Sequence, residues 1–150
     1  MTVMSLKTDL DNALKQAIRS GDEPRKRTIR LVLSNIHLAE VEKGGPLDEA
    51  GIQAILHKEV KSRRETIADA ERARRPDLVA AAEQEIAILE SFLPKAFSAE
   101  ELEALVRQVI AETGATSVKE MGQVMKALMP RLQGRASGDQ ASQVVRKLLQ

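Results

Sequence analysis

The chemistry this sequence offers is concentrated near its end. Gly134-Arg135-Ala136-Ser137-Gly138 forms a basic, glycine-flanked loop, with Lys119, Lys126, Arg131, Arg146 and Lys147 around it. Glycine lets a backbone come close to a ligand, and a helix starting just beyond the loop presents N–H groups to an anion. The Arg135 guanidinium can add a forked pair of hydrogen bonds to a phosphate. From Lys119 onward six basic residues stand against two acidic ones, a net +4 that leaves −3 for the remainder of a chain whose total is +1. The same residues also fit a plain tight turn beside a solvated basic face, and spacing alone does not separate the two readings.

A second charged run is Lys58-Glu59-Val60-Lys61-Ser62-Arg63-Arg64-Glu65. Glu59 and Arg63 are spaced for a helical i, i+4 pair, as are Lys61 and Glu65. The run reads either as a solvated, salt-bridged face or as a second contact surface for RNA or protein, with Lys58, Lys61, Arg63 and Arg64 on phosphates. Met121, Met125 and Met129 recur at four-residue spacing. They fit core fillers, or an exposed ridge able to grip a partner.

Other chemistries find no residues. The absence of cysteine excludes disulfides, thiolate nucleophiles, zinc knuckles and iron–sulfur clusters. His37 and His57 are the only histidines, and neither is spaced with a second ligand. His37 follows Ile36 on an apolar helix and reads as a core or boundary residue. No metal and no cofactor are expected. There is no Gly-x-Ser-x-Gly elbow and no phosphate-binding Gly-x-x-x-x-Gly-Lys-Ser/Thr loop, so no catalytic residue is assigned. Phe92 and Phe97 are the only aromatics, which excludes modules that stack bases on rings.

The elements that must position these groups are helical throughout. Leu6, Leu10, Ala13, Leu14, Ala17 and Ile18 share one face of a first helix capped by Ser5 and ended by Gly21. Pro24 suits the first turn of a second helix carrying Ile29, Val32, Leu33, Ile36 and Val41. Leu31 and Leu38 widen its apolar set, so it is expected at the centre of its bundle. Gly44-Gly45-Pro46 breaks the pattern, and Asp48-Glu49 opens a third helix with Ile52, Ile55, Leu56, Val60 and Ile67 inward. Pro76 starts a fourth with Leu78, Val79, Ala82, Ile86, Leu89 and Phe92, and the short connection makes the pair a hairpin.

Leu93-Pro94 marks a domain boundary, because the residue before proline is pushed out of the helical region. Ser98 and Glu101 are spaced as a capping box, and Leu102, Leu105, Val106, Val109 and Ile110 follow before Gly114. Ser117 and Glu120 repeat the box ahead of a helix that Pro130 limits, and Ser137 or Asp139 caps a last helix with Val144, Val145, Leu148 and Leu149 inward. The expectation is an all-α protein: a bundle of about four helices in residues 1–93 and a three-helix domain in 94–150. The second has fewer than 60 residues, a marginal size for folding alone.

With 43% apolar and 30% charged residues, the 150-residue chain has the composition of a packed, water-facing protein. No apolar run nears the ~20 residues of a membrane helix. Met1 to Leu10 lacks the pattern of a secretory signal, and a cytoplasmic protein is expected.

Several motifs together resemble the GatB/YqeY family. They are Lys58 to Ile67, Leu93-Pro94-Lys95, Glu112-Thr113-Gly114-Ala115, Met121-Gly122-Gln123-Val124-Met125, Leu128-Met129-Pro130, and Gly134 to Gly138. The resemblance covers almost the whole chain and matches YqeY-like proteins of this size. It implies two helical domains, the second similar to the tail of the B subunit of the tRNA-dependent amidotransferase. That tail contacts tRNA while catalysis happens elsewhere, and a similar module is attached to some glutaminyl-tRNA synthetases. The family's Lys-Gly-Arg-Ala-Asp-Gly-Lys loop falls on Gln133 to Asp139. Gly134, Arg135, Ala136 and Gly138 match it, whereas Gln133, Ser137 and Asp139 depart from it and remove two positive charges. The resulting expectation is a non-catalytic tRNA-binding accessory protein, with an aminoacyl-tRNA synthetase or amidotransferase as further partners. A helical protein-interaction adaptor is the alternative, as is carbon–nitrogen ligase activity with glutamine as donor, exercised within a larger complex.

Overall fold

Capping residues set where the helices begin. A computed structural model describes residues 5–150, and among them there are seven α-helices, one short 3-10 turn and no strand. Ser5 caps α1 (Leu6–Ser20), Asp22 caps α2 (Glu23–Lys43) and Asp48 caps α3 (Glu49–Arg72), each side chain accepting from a backbone N–H three residues on. Each such cap stabilises its helix by about 1 kcal/mol. Pro76 occupies the first position of α4 (Pro76–Glu90), where its missing N–H breaks no bond. Residues Met1 to Met4, part of the segment read for a signal, lie outside the described residues.

The helices divide into a unit ending at Leu93 and a unit from Pro94 to Gln150. In the first, α3 and α4 pack side by side as a hairpin, α1 lies on α2, and α2 also meets α3 and α4. Arg74 closes the hairpin turn in the left-handed region, at φ 56°. The core is built on Leu10, Ile29, Val32, Ile36, Leu56 and Leu89, all essentially shielded from water. Burial of each such side chain contributes roughly 1.5–3 kcal/mol. Polar ties brace the apolar contacts. The Glu49 carboxylate accepts from the Leu6 N–H at 2.9 Å, joining the start of α1 to that of α3. Glu40 accepts from the Leu47 N–H at 3.0 Å and pairs with Lys7 at 3.0 Å.

Four expectations for this unit need correction. Val41 was placed inward but is 64% exposed, and Leu31 and Leu38 are open to solvent too. α2 meets all three other helices of the unit, yet the face that carries Leu31, Leu38 and Val41 is left uncovered. Ile18, at the end of α1, is likewise exposed, and so is His37.

In the second unit α5 (Ala99–Thr113), α6 (Met121–Leu132) and α7 (Gly138–Leu149) each pack on the other two. Val106, Val109, Val124, Leu128, Ala141 and Val145 are fully enclosed. α5 starts with a complete capping box from Ser98 and Glu101. The second predicted box does not form. Val118–Glu120 is a 3-10 turn, and Glu120 accepts instead from the Thr116 backbone N–H and hydroxyl. A single tight turn does not set Ser117 and Glu120 at the spacing of a box. Pro130 does not stop α6, which runs two residues further to Leu132. In the last turn its ring costs one hydrogen bond, to a carbonyl a turn back.

Candidate nucleic-acid interface

The loop singled out by the sequence connects α6 to α7 through two successive left-handed residues, Gln133 at φ 50° and Gly134 at φ 78°. Gly134 adopts this conformation freely, whereas Gln133 does so against a steric penalty. The turn brings Arg135 back toward the segment that precedes α5. There the Arg135 Nε donates to the Lys95 carbonyl at 2.9 Å, and Nη2 reaches Glu101 Oε2 at 3.4 Å. The guanidinium carbon lies 4.0 Å from the centre of the Phe97 ring, and the Phe97 N–H donates to the Arg135 carbonyl at 3.1 Å. Arg135 is thus a latch that joins the α6–α7 loop to the start of α5. Its Nε and one terminal nitrogen are engaged by the protein itself, with the side chain 32% exposed.

Two backbone N–H groups of the loop have partners as well. The Arg135 N–H donates to the Leu132 carbonyl. Ser137, not Asp139, caps α7 and completes a box with Gln140: its N–H donates to Gln140 Oε1, and its hydroxyl accepts from the Gln140 N–H. Gly138 is the first residue of α7, and Ala136 is buried. The Arg135 and Ser137 N–H groups of the expected anion cradle are therefore engaged by the protein itself. Met129, half-exposed, lies over Gly138, while Met121 and Met125 pack on the core.

The surrounding cations divide in two. Arg131 pairs with Glu112 at 2.5 Å. Lys119, Lys126, Arg146 and Lys147 are exposed and take part in no ion pair among the described residues. The unit's acids are largely engaged: Glu101 in its cap and with Arg135, Glu103 with Arg107, Glu112 with Arg131, and Glu120 with Thr116. Lys147 also borders a groove of about 390 Å³ whose walls include Phe97, Leu102, Arg135, Val144 and Leu148.

The run on α3 behaves differently from its sequence reading. The predicted Glu59–Arg63 pair forms, and Arg63 also reaches Glu85 of α4 at 3.0 Å. Asn35 of α2 donates to the other oxygen of Glu59 at 2.8 Å. The Arg63 side chain is only 12% exposed, so it holds three helices together and is turned away from any phosphate. Arg64 is exposed and meets Glu90 at 3.6 Å, and Lys58 and Lys61 are exposed. Sequence spacing missed the Arg63 network and the Arg135 latch because their partners lie 22 to 40 residues away.

Two carboxyls in the second unit are held below the ordinary glutamate value of 4.5. For Glu101 the main cause is the Ser98 backbone N–H, then the Ser98 hydroxyl, with Arg135 adding to both; for Glu112 it is Arg131, then Gln108. A carboxyl depressed by folding stabilises the fold above the unfolded value, and that contribution is lost as pH falls through the folded one. Acid is therefore expected to loosen the second unit below about pH 4.5. At neutral pH, Arg135→Ala is expected to cost about 1–2 kcal/mol by removing a hydrogen bond and a cation–π contact. Hydrogen exchange at the α5 and α7 amides checks both outcomes.

Among the described residues no group of three or more His, Asp or Glu side chains is placed to hold a metal ion, and no helix is long and apolar enough to cross a membrane.

Comparison with known proteins agrees with the motif pattern. The chain is 38% identical over 114 residues to Altered inheritance of mitochondria protein 41, mitochondrial, of Kluyveromyces lactis, covering 73% of this chain and 59% of that protein. The proteins of the same name from Lachancea thermotolerans and Eremothecium gossypii are 35% and 34% identical, covering 74% and 71% of this chain and 59% and 60% of their own lengths. The chain thus spans about six-tenths of the curated relatives it matches. These relatives are named as mitochondrial proteins, which overturns the expectation of a cytoplasmic protein. The model of the family described as Yqey-like protein matches residues 7–149, nearly end to end, and the chain belongs to that family.

Proposed function

We propose that this protein is a non-catalytic tRNA-binding accessory protein whose second unit meets the sugar–phosphate backbone. One observation carries the reading: Lys119, Lys126, Arg146 and Lys147 stand exposed on a unit whose acids are mostly engaged in caps and ion pairs. Such a surface attracts phosphates through charge and shape, without base readout. The motif resemblance of this unit to the amidotransferase tail implies the same ligand. The binding surface is moved from the loop backbone, where the sequence put it, to the exposed cations of the 3-10 turn, α6 and α7. Arg135 then supports the surface from within and makes no phosphate contact itself. The two units are read as separate domains, a four-helix bundle over 1–93 and a three-helix domain over 94–150.

The test is retention of bulk tRNA by the purified chain across a salt series. Binding is expected at about 50 mM salt and is expected to fall steeply by about 200 mM. No retention at low salt would overturn the proposal. Association with a cell protein that survives ribonuclease would favour the adaptor reading instead.

A further inference from the structure

α2 carries an uncovered seam. Arg27, Leu31, Ser34, Leu38 and Val41 follow one another at alternating spacings of four and three residues, the repeat by which one helix packs along another. All five are exposed, and Leu31, Leu38 and Val41 are 43%, 58% and 64% open to solvent. Single exposed apolar residues are ordinary, but three on one seam of one helix make a continuous stripe.

The charges at the ends of the stripe say what covers it. Arg27 lies at its start and Glu42 at its end, both exposed and neither with an ion-pair partner among the described residues. Suppose two copies of α2 lie antiparallel about a two-fold axis midway between Ser34 and Asn35. Each residue then faces the one equally far beyond the midpoint in the other copy. Leu31 faces Leu38, and Arg27 faces Glu42, each pair occurring twice by symmetry. Ser34, small and exposed, sits at the crossing and lets the backbones approach. A parallel pair would instead set Arg27 against Arg27 and Glu42 against Glu42. The Leu31–Leu38 pairs, the Arg27–Glu42 pairs and Ser34 agree on one register, while Val41 falls opposite the buried Thr28 and lies at the margin of the contact.

We infer that the protein self-associates as a two-fold dimer through antiparallel packing of α2 along the Leu31–Leu38 seam. The inference is independent of RNA binding and uses a different unit. The seam of a single helix is modest in area, so the dimer is reversible and its population follows protein concentration.

Sedimentation equilibrium of the full chain from about 1 to 500 µM tests it. The expected result is a reversible shift from one to two chain masses. Leu38→Glu is expected to hold the protein at one mass throughout, with an unchanged helical spectrum because the side chain is exposed. Arg27→Glu sets two pairs of like charges face to face and is expected to weaken the dimer about tenfold, and Arg27→Glu combined with Glu42→Arg is expected to restore it to within about threefold. A single mass at every concentration, a dimer indifferent to Leu38→Glu, or a failure of the double exchange to restore it would each overturn the inference.

Discussion

Replacing Arg63 with alanine is expected to destabilise the first unit by about 2–3 kcal/mol, at or just below the roughly 3–5 kcal/mol for breaking a fully buried ion pair. The cost arises from what the guanidinium leaves behind. Glu59, whose side chain is 14% exposed, would lose its countercharge while still accepting from Asn35 of α2. Glu85 on α4 is 36% exposed and recovers part of its hydration, which keeps the loss below the upper end of the range. The long arginine stem, only 12% exposed, is also shielded from water, and alanine leaves its space unfilled. A compensating change follows from the same argument. Glu59→Gln keeps an acceptor for Asn35 and needs no countercharge, so Glu59→Gln with Arg63→Met is expected to regain more than half of the loss. The chain has no Trp or Tyr, so chemical denaturation is followed by helical circular dichroism, with hydrogen exchange on the α3 and α4 amides to assign the unit. An unchanged midpoint for Arg63→Ala would show the network to be no more than a surface ion pair.

Arg63 also shows what a sequence can and cannot display. Its i, i+4 partner Glu59 is legible because helix geometry fixes that neighbour once the helix is recognised. Glu85 and Asn35 are not, since they become neighbours only when α4 and α2 dock. The same division runs through the whole chain. The caps at Ser5 and Ser98 were legible because a cap is a contact three residues long, and Asp48 was legible as a helix start by its charge, whereas the cap at Asp22 was read only as part of a turn. The all-helical fold was legible for the same reason, being a property of local periodicity. Burial was legible only where one face of a helix was apolar. α2 is apolar on two sides, and periodicity could not tell which side the neighbouring helices would leave open at Leu31, Leu38 and Val41. At the candidate site, the basic segment was visible as composition. The role of Arg135 was not, because Lys95, Phe97 and Glu101 lie at least 34 residues earlier. Family similarity marks Arg135 as a position of interest without saying whether it touches a ligand or holds the fold.

The largest functional effect is expected from neutralising Lys119, Lys126, Arg146 and Lys147 together, each to glutamine. All four are exposed, so the substitution removes charge with little effect on packing. Every phosphate neutralised by a protein cation releases condensed counterions, and the logarithm of affinity falls with the logarithm of salt by about 0.7–0.9 per contact. Removing four contacts is therefore expected to lower that slope by about three and to weaken tRNA binding by about two to three orders of magnitude near 0.1 M salt. Filter retention of bulk tRNA at several salt concentrations measures both quantities. Arg135→Ala is the discriminating control. If Arg135 is the latch the structure shows, its loss loosens the start of α5 and leaves the salt slope unchanged to within a few tenths. If Arg135 binds phosphate, the slope falls by about one, as for any single contact. A quadruple variant that kept the full slope would move the phosphate surface away from the second unit. Lys58, Lys61 and Arg64 on α3 would then be the next cations to neutralise, because the Arg63 side chain is only 12% exposed and is held by Glu59 and Glu85.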